Sequence, residues 1–148
     1  MENSPLTAAE LQTLYGQPRE LVAEAWAAGL EATTRAFIAA SPFLLLSSIN
    51  SEGFIDMSPR GGSPGFINVI DDHNIEFLDQ LGNRKIHTFR NLSDNNKVGL
   101  CFMIPGVKEV LRAYGVAKVV NDLATIERLG GVPERNRVAV KITLHKVF

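Results

Sequence analysis

From Phe43 onwards the chain is cut into apolar runs of strand length, separated by clusters of Gly, Pro, Asn and Asp. That punctuation is the strongest constraint in the sequence, because it leaves little room for long helices and commits this part to short strands. Phe43–Ile49 is a continuous apolar run closed by Asn50-Ser51-Glu52-Gly53, and Phe54–Met57 follows as a second short strand. Phe66–Ile70 and Asn74–Leu78 flank Asp71-Asp72-His73, a hairpin signal. Lys97–Ile104 and Val110–Val120 are two longer strands on either side of Pro105-Gly106. A last strand, Val138–Phe148, alternates around Val138, Val140, Ile142 and Leu144. Short helices are predicted from Arg84 to about Leu92 and from Leu123 to Leu129, the latter stopped by Gly130-Gly131. Six or seven strands with few helices predict a mainly β, α+β fold: an antiparallel barrel.

The N-terminal part reads differently. Thr7-Ala8-Ala9-Glu10 has capping-box spacing, and Leu11 and Leu14 follow on one face of a short helix ending near Gly16. From Arg19, apolar positions at Val22, Ala25, Trp26, Leu30, Phe37 and Ile38 predict one amphipathic helix reaching Ser41-Pro42. The expectation is one domain, a helical part over residues 1–41 packed on a barrel over residues 43–148.

Charge narrows the function. Fifteen Lys and Arg stand against 16 Asp and Glu, a net charge of −1. This argues against a nucleic-acid partner and requires any anion site to be a local cluster. Cys101 is the one cysteine, so no disulfide forms within a monomer, and it reads as a small buried hydrophobe. Residues Met1 to Pro5 lack a basic region followed by an apolar core, and no apolar run is long enough to span a bilayer. A cytoplasmic protein without a membrane partner is expected. His73, His87 and His145 show no metal-ligand spacing, so no metal is expected.

Three segments can carry chemistry. Gly82-Asn83-Arg84-Lys85 lies between a strand and a helix start. Helix N-termini present unpaired N–H groups and favour anions, so two cations there are locally unfavourable unless they seat a phosphate. A solvated basic turn is the plain alternative. Ser58-Pro59-Arg60-Gly61-Gly62-Ser63-Pro64-Gly65 reads as a loop whose backbone can approach a ligand, with Arg60 its one charge. Arg112, on an alternating strand, faces the side of Val110 and Tyr114, opposite Leu111 and Ala113. It is either a rim residue or a cation aimed at a ligand.

Taken in order, Ala39–Leu44, Asp56–Gly61, Pro64-Gly65-Phe66, Gly82–Lys85, Arg90-Asn91-Leu92, Val98-Gly99-Leu100, Ile104-Pro105-Gly106 and Leu111-Arg112 resemble the pyridoxamine 5′-phosphate oxidase-like flavoproteins. The resemblance runs from about Leu11 to Val120. It implies a split β-barrel, FMN as cofactor, and a homodimer with flavin at the subunit interface. It further implies that Lys85, with Asn83 and Arg84, grips the flavin phosphate, and that Ser58, Arg60 and Gly61 lie along the flavin. Arg112 would then stabilise the negative charge that develops on a reduced flavin. An FMN-dependent oxidoreductase of unidentified small-molecule substrate is the expected function, with no catalytic residue assigned. The alternative is a sensor or carrier of flavin, haem or deazaflavin on the same fold. Asn95-Asn96-Lys97 stands where relatives have Asn-Pro-Arg. Relatives also continue past the last strand into a basic and aromatic segment that covers the flavin, whereas this sequence stops at Phe148. The expectation is a naturally short or truncated C-terminus and a more open flavin site.

Overall fold

The computed structural model describes residues 4–18, 27–80, 82 and 85–148. Helix α1 spans Ala8–Tyr15 and begins as its capping box requires. The Thr7 hydroxyl accepts from the Glu10 N–H at 3.3 Å while the Glu10 carboxylate accepts from the Thr7 N–H at 2.8 Å. Gly16, at φ 74°, ends it. None of its residues is buried.

The long amphipathic helix does not form as expected. Residues 19–26 lie outside the described residues, but Ala27 pairs with Val147 in a β-bridge and Leu30 donates its N–H to the Asp72 carbonyl. Tertiary pairing overrides the helical period there. Among the described residues of that stretch, helix α2 covers Ala32–Ala40, and the Thr34 hydroxyl closes its first turn on Glu31.

Seven strands follow: β1 Phe43–Ile49, β2 Ile55–Gly61, β3 Asn68–Val69, β4 Asn74–Leu78, β5 Lys97–Met103, β6 Leu111–Val120 and β7 Ala139–Val147. They form one antiparallel sheet in the order β2-β1-β5-β6-β7-β4-β3, with β2 and β3 at its edges. The architecture is therefore a split barrel of α+β class, with the sheet left unclosed. Helices α3, His87–Asp94, and α4, Leu123–Arg128, lie between β4 and β5 and between β6 and β7 along the chain. The sheet encloses one core. Leu44, Leu46, Phe77, Leu100, Phe102, Ala113, Ile142 and Leu144 meet Ile38 of α2 and Leu92 of α3, all buried. Period-2 alternation puts these strand residues on one face.

Two departures have clear causes. Ser58–Gly61 is strand rather than loop: β2 continues to Gly61, with Ser58 opposite Leu46 and Arg60 opposite Leu44. Pro59 is compatible with this because β2 is an edge strand, where a missing N–H breaks no ladder. Between β6 and β7 a bulge occurs at Tyr114/Gly115. A Cβ on Gly115 would fall 2.1 Å from the Thr143 carbonyl oxygen, so the backbones approach as only glycine allows.

The opposite face of β2, β1, β5 and β6 is largely apolar and, among the described residues, partly exposed, with the Phe148 ring lying against Arg112 and Tyr114 at one side. Cross-strand rows run Gly61, Phe43, Met103; then Pro59, Leu45, Cys101, Arg112; then Met57, Ser47, Gly99, Tyr114. Ile55 and Met57 are 72% and 59% exposed. Cys101 sits half-buried in this face rather than in the core. Among the described residues, no helix is long and apolar enough to cross a membrane.

Candidate functional site

Strand alternation builds one wall of the site. Asp56, Ser58 and Arg60 fall on the inner side of β2, while Ile55, Met57, Pro59 and Gly61 face away. The other walls come from the end of β4 (Asp79 and Gln80), the approach to α3 (Gly82, Lys85 and Ile86), its first turn (His87, Thr88 and Phe89) and the entry to β7 (Arg137 and Val138). Together they enclose about 590 Å³, within the range of ~300–1,000 Å³ typical of small-molecule sites.

The cations Arg60, Lys85 and Arg137, with His87, converge on this cavity. Helix α3 opens into it unguarded. Its N-cap is Ile86, which offers no side-chain cap, and its first turn holds no acid. The N–H groups at a helix start need acceptors, and the helix dipole favours negative charge there. Local sequence thus withholds the usual caps where tertiary structure gathers cations.

Arg60 is held in place. Its Nη1 donates to the Ser58 hydroxyl at 2.6 Å and to the Pro59 carbonyl at 3.0 Å. The guanidinium carbon lies 5.9 Å from the centre of the Phe89 ring. Its Nε is buried without a hydrogen-bond partner, 3.6 Å from Asp79 Oδ1. Burial pushes the Asp79 carboxyl above its ordinary pKa, partly offset by the charge of Arg60.

Helix α3 is tied to β1 and β2 by a small polar network. Asn91 Nδ2 donates to the buried Ser48 hydroxyl at 2.9 Å and to Asp56 Oδ2 at 3.3 Å. Because Asp56 also lines the cavity, this network fixes the helix start relative to Arg60.

The expected site residues therefore divide. Ser58, Arg60 and Lys85 share the cavity. Gly61 is on the outer face of β2, paired with Phe43. Asn83 and Arg84 lie outside the described residues, and Lys85 directly precedes the α3 N-cap. Arg112 is on the outer face of the sheet, away from the cavity, opposite Cys101 on β5. Its guanidinium stacks 4.1 Å from the centre of the Phe148 ring, while its N–H and carbonyl pair with the Phe148 backbone.

Sequence reading missed Asp79, Asp56, Asn91 and Arg137, all brought together by non-local packing. It also missed a buried carboxylate, Glu76. That residue is wholly buried on β4, held by a bidentate pair with Arg128 of α4 and by Asn68 Nδ2 at 2.9 Å. Those hydrogen bonds, Arg128 first, hold its pKa below the usual Glu range despite burial. The one signal for it was an acid inside the apolar strand Ile75-Glu76-Phe77.

A second cavity, about 630 Å³, lies between α3 and β6, lined by Phe89, Leu92, Asn96 and Lys118. Lys118 is its one cation and Asp94 opposes it, so it does not match a dianion. Among the described residues, no group of three or more His, Cys, Asp or Glu could hold a metal ion.

The profile of the pyridoxamine 5′-phosphate oxidase family matches residues 30–148. Among solved structures, a candidate pyridoxamine 5′-phosphate oxidase from Lactobacillus delbrueckii superposes with a TM-score of 0.66. It is 18% identical, over 82% of this chain and 95% of that one. HupZ of Group A Streptococcus gives 0.64 at 15% identity, over 80% of this chain and 92% of that one. An FMN-binding protein from Syntrophomonas wolfei gives 0.54 at 10% identity, over 77% and 86%. At such identities the likeness is one of fold. No curated protein matches the sequence. The profile, spanning α2 and the whole seven-stranded sheet, shows that the chain belongs to the pyridoxamine 5′-phosphate oxidase family.

Proposed function

We propose that this chain binds FMN in the cavity between β2 and the start of α3, and works as a flavin-dependent oxidoreductase on a small molecule still to be identified. The observation that carries the reading is the convergence of Arg60, Lys85, His87 and Arg137 on a helix start without a cap or acid. The buried Arg60 Nε, without an acceptor of its own, fits the same anion-binding role. Lys85 and the first N–H groups of α3 would hold the phosphate, while Ser58 and Phe89 hold the Arg60 guanidinium in place. When bound, flavin supplies the hydride or electron transfer. The chain supplies binding, orientation and positive charge. The shared fold of an FMN-binding protein supports flavin as the ligand.

The same reading includes a homodimer. The exposed apolar residues Phe43, Ile55 and Met57 on the outer face are the surface a second copy would cover. A second copy packed there would bring Arg112 to the interface. Since Arg112 lies on the outer face of its own sheet, a shared site is its route to a flavin.

The test is an absorbance spectrum of the purified protein followed by titration with FMN. Flavin bands or saturable binding are expected. Lys85→Ala should then weaken binding by about 1.5–3 kcal/mol, the range for hydrogen bonds to charged groups. Unchanged affinity in that variant would overturn the phosphate seat, and absence of binding in the parent protein would overturn the cofactor.

A further inference from the structure

A carboxylate is out of place among cations gathered for an anion. Asp79 stands at the end of β4, lines the cavity, and has its Oδ1 3.6 Å from the buried Nε of Arg60. Its side chain is 24% exposed. Its backbone is held on both sides. The Asp79 N–H donates to the Val138 carbonyl at 3.1 Å, and the Asp79 carbonyl accepts from Asn136 Nδ2 at 3.1 Å. With its Cα held at the cavity and its carboxylate beside Arg60, Asp79 presents a negative charge to an entering phosphate, and a proton on that charge relieves the repulsion.

We propose that Asp79 is a specificity-determining residue that couples anion binding in this cavity to uptake of one proton from solvent. The inference rests on the anion-site reading given above and adds to it. In the ionised form, Asp79 neutralises Arg60 and opposes a dianion. Once protonated, it stops opposing the ligand and leaves the Arg60 charge to it. Burial already moves the carboxyl in the needed direction, and a bound anion moves it further. Binding therefore strengthens as pH falls through the bound-state pKa and levels off below that of the ligand-free protein. Charged or titratable groups facing the same space are Asp56 and Arg60 from β2, Lys85 before α3, His87 on α3 and Arg137 before β7.

The test compares FMN affinity of the full chain with that of Asp79→Asn between about pH 8 and about pH 5, by quenching of flavin fluorescence. Asparagine keeps the shape and an acceptor for Arg60 while removing the charge. The phosphate of FMN also titrates in this window. It is common to both measurements, so the affinity ratio cancels it to first order. The expected result is that Asp79→Asn binds roughly tenfold tighter at the high end, a like-charge repulsion softened by solvent. The ratio should fall towards one at the low end. A ratio that does not change with pH, or weaker binding by Asp79→Asn throughout, would overturn the proposal while leaving the FMN site standing. Failure of both proteins to bind FMN at every pH would overturn the site and the proposal together.

Discussion

Replacing Arg128 with methionine should strip the buried Glu76 carboxylate of its main partner. Glu76 is fully buried, whereas the Arg128 side chain is 51% exposed. That asymmetry decides the energetics. The guanidinium keeps half its contact with water, so the desolvation cost of the pair falls mainly on the carboxylate. Arg128 answers it with two hydrogen bonds and Asn68 with one. In Arg128→Met the stem is kept, but a buried carboxylate is left with Asn68 alone. Breaking a buried pair costs about 3–5 kcal/mol. Because solvent can reach into the gap left by a half-exposed residue, about 3 kcal/mol at neutral pH is the better expectation. With a urea slope of roughly 2 kcal/mol/M, the unfolding midpoint should fall by about 1.5 M. The pH dependence follows from the direction of the shift. Glu76 is held below its ordinary pKa, so the pair stabilises the native state above about pH 4.5. That contribution is lost as pH drops through the folded-state value. In the variant, an unpaired buried carboxylate is pushed the other way and is relieved by a proton. The gap between the two proteins should therefore close as pH is lowered from about 7 towards about 4. Urea titrations at both ends give the answer. A neutral-pH difference under about 0.5 kcal/mol, the range of ordinary surface changes, would refute the reasoning.

Two further outcomes are expected. Gly115→Ala places a Cβ against the Thr143 carbonyl at 2.1 Å, so β6 and β7 must separate. A thermal melt should show a loss of at least about 3 kcal/mol, and a melting temperature within a degree or two of the parent would contradict the close approach. Met57→Asp puts a charge on the exposed outer face, along its β2 edge, without touching the core. Light scattering should show a monomer with unchanged circular dichroism, and a retained dimer would move the interface elsewhere.

What the sequence could and could not disclose follows from the range of the interactions involved. Strands β1, β4, β5, β6 and β7 were legible within a residue or two of their ends, because buried alternation and turn residues are local signals. So was the start of α1, where Thr7 and Glu10 make their own hydrogen bonds. Misreadings cluster where distant partners decide. Ala27 belongs to Val147 and not to its own helix. Ser58–Gly61 has loop-like composition, yet β1 supplies a partner for every residue of it. Of the site, Lys85 and Arg60 were legible as charges beside helix-start and glycine signals. Asp79 was not, since a lone acid at a strand end carries no mark of the Arg60 it will meet. Arg112 was assigned the correct side of its strand, but which side of the sheet held the cavity required the order of all seven strands.

That order also explains why the site can be chemically expensive and still persist. Cations beside an uncapped helix start oppose the dipole, by about 0.3–1 kcal/mol for each exposed charge. Nothing in the local sequence of α3 repays this: Ile86 cannot cap, and no acid stands in the first turn. The helix is kept by contacts elsewhere, with Leu92 in the core and Asn91 bonded to Ser48 and Asp56. Those contacts lie past its first turn, so they hold the helix without covering its N–H groups. Stability and binding are thereby separated along eight residues. The C-terminal half anchors, and on the proposed reading the N-terminal turn is left to an anion that would interact with the folded chain and not with the unfolded one.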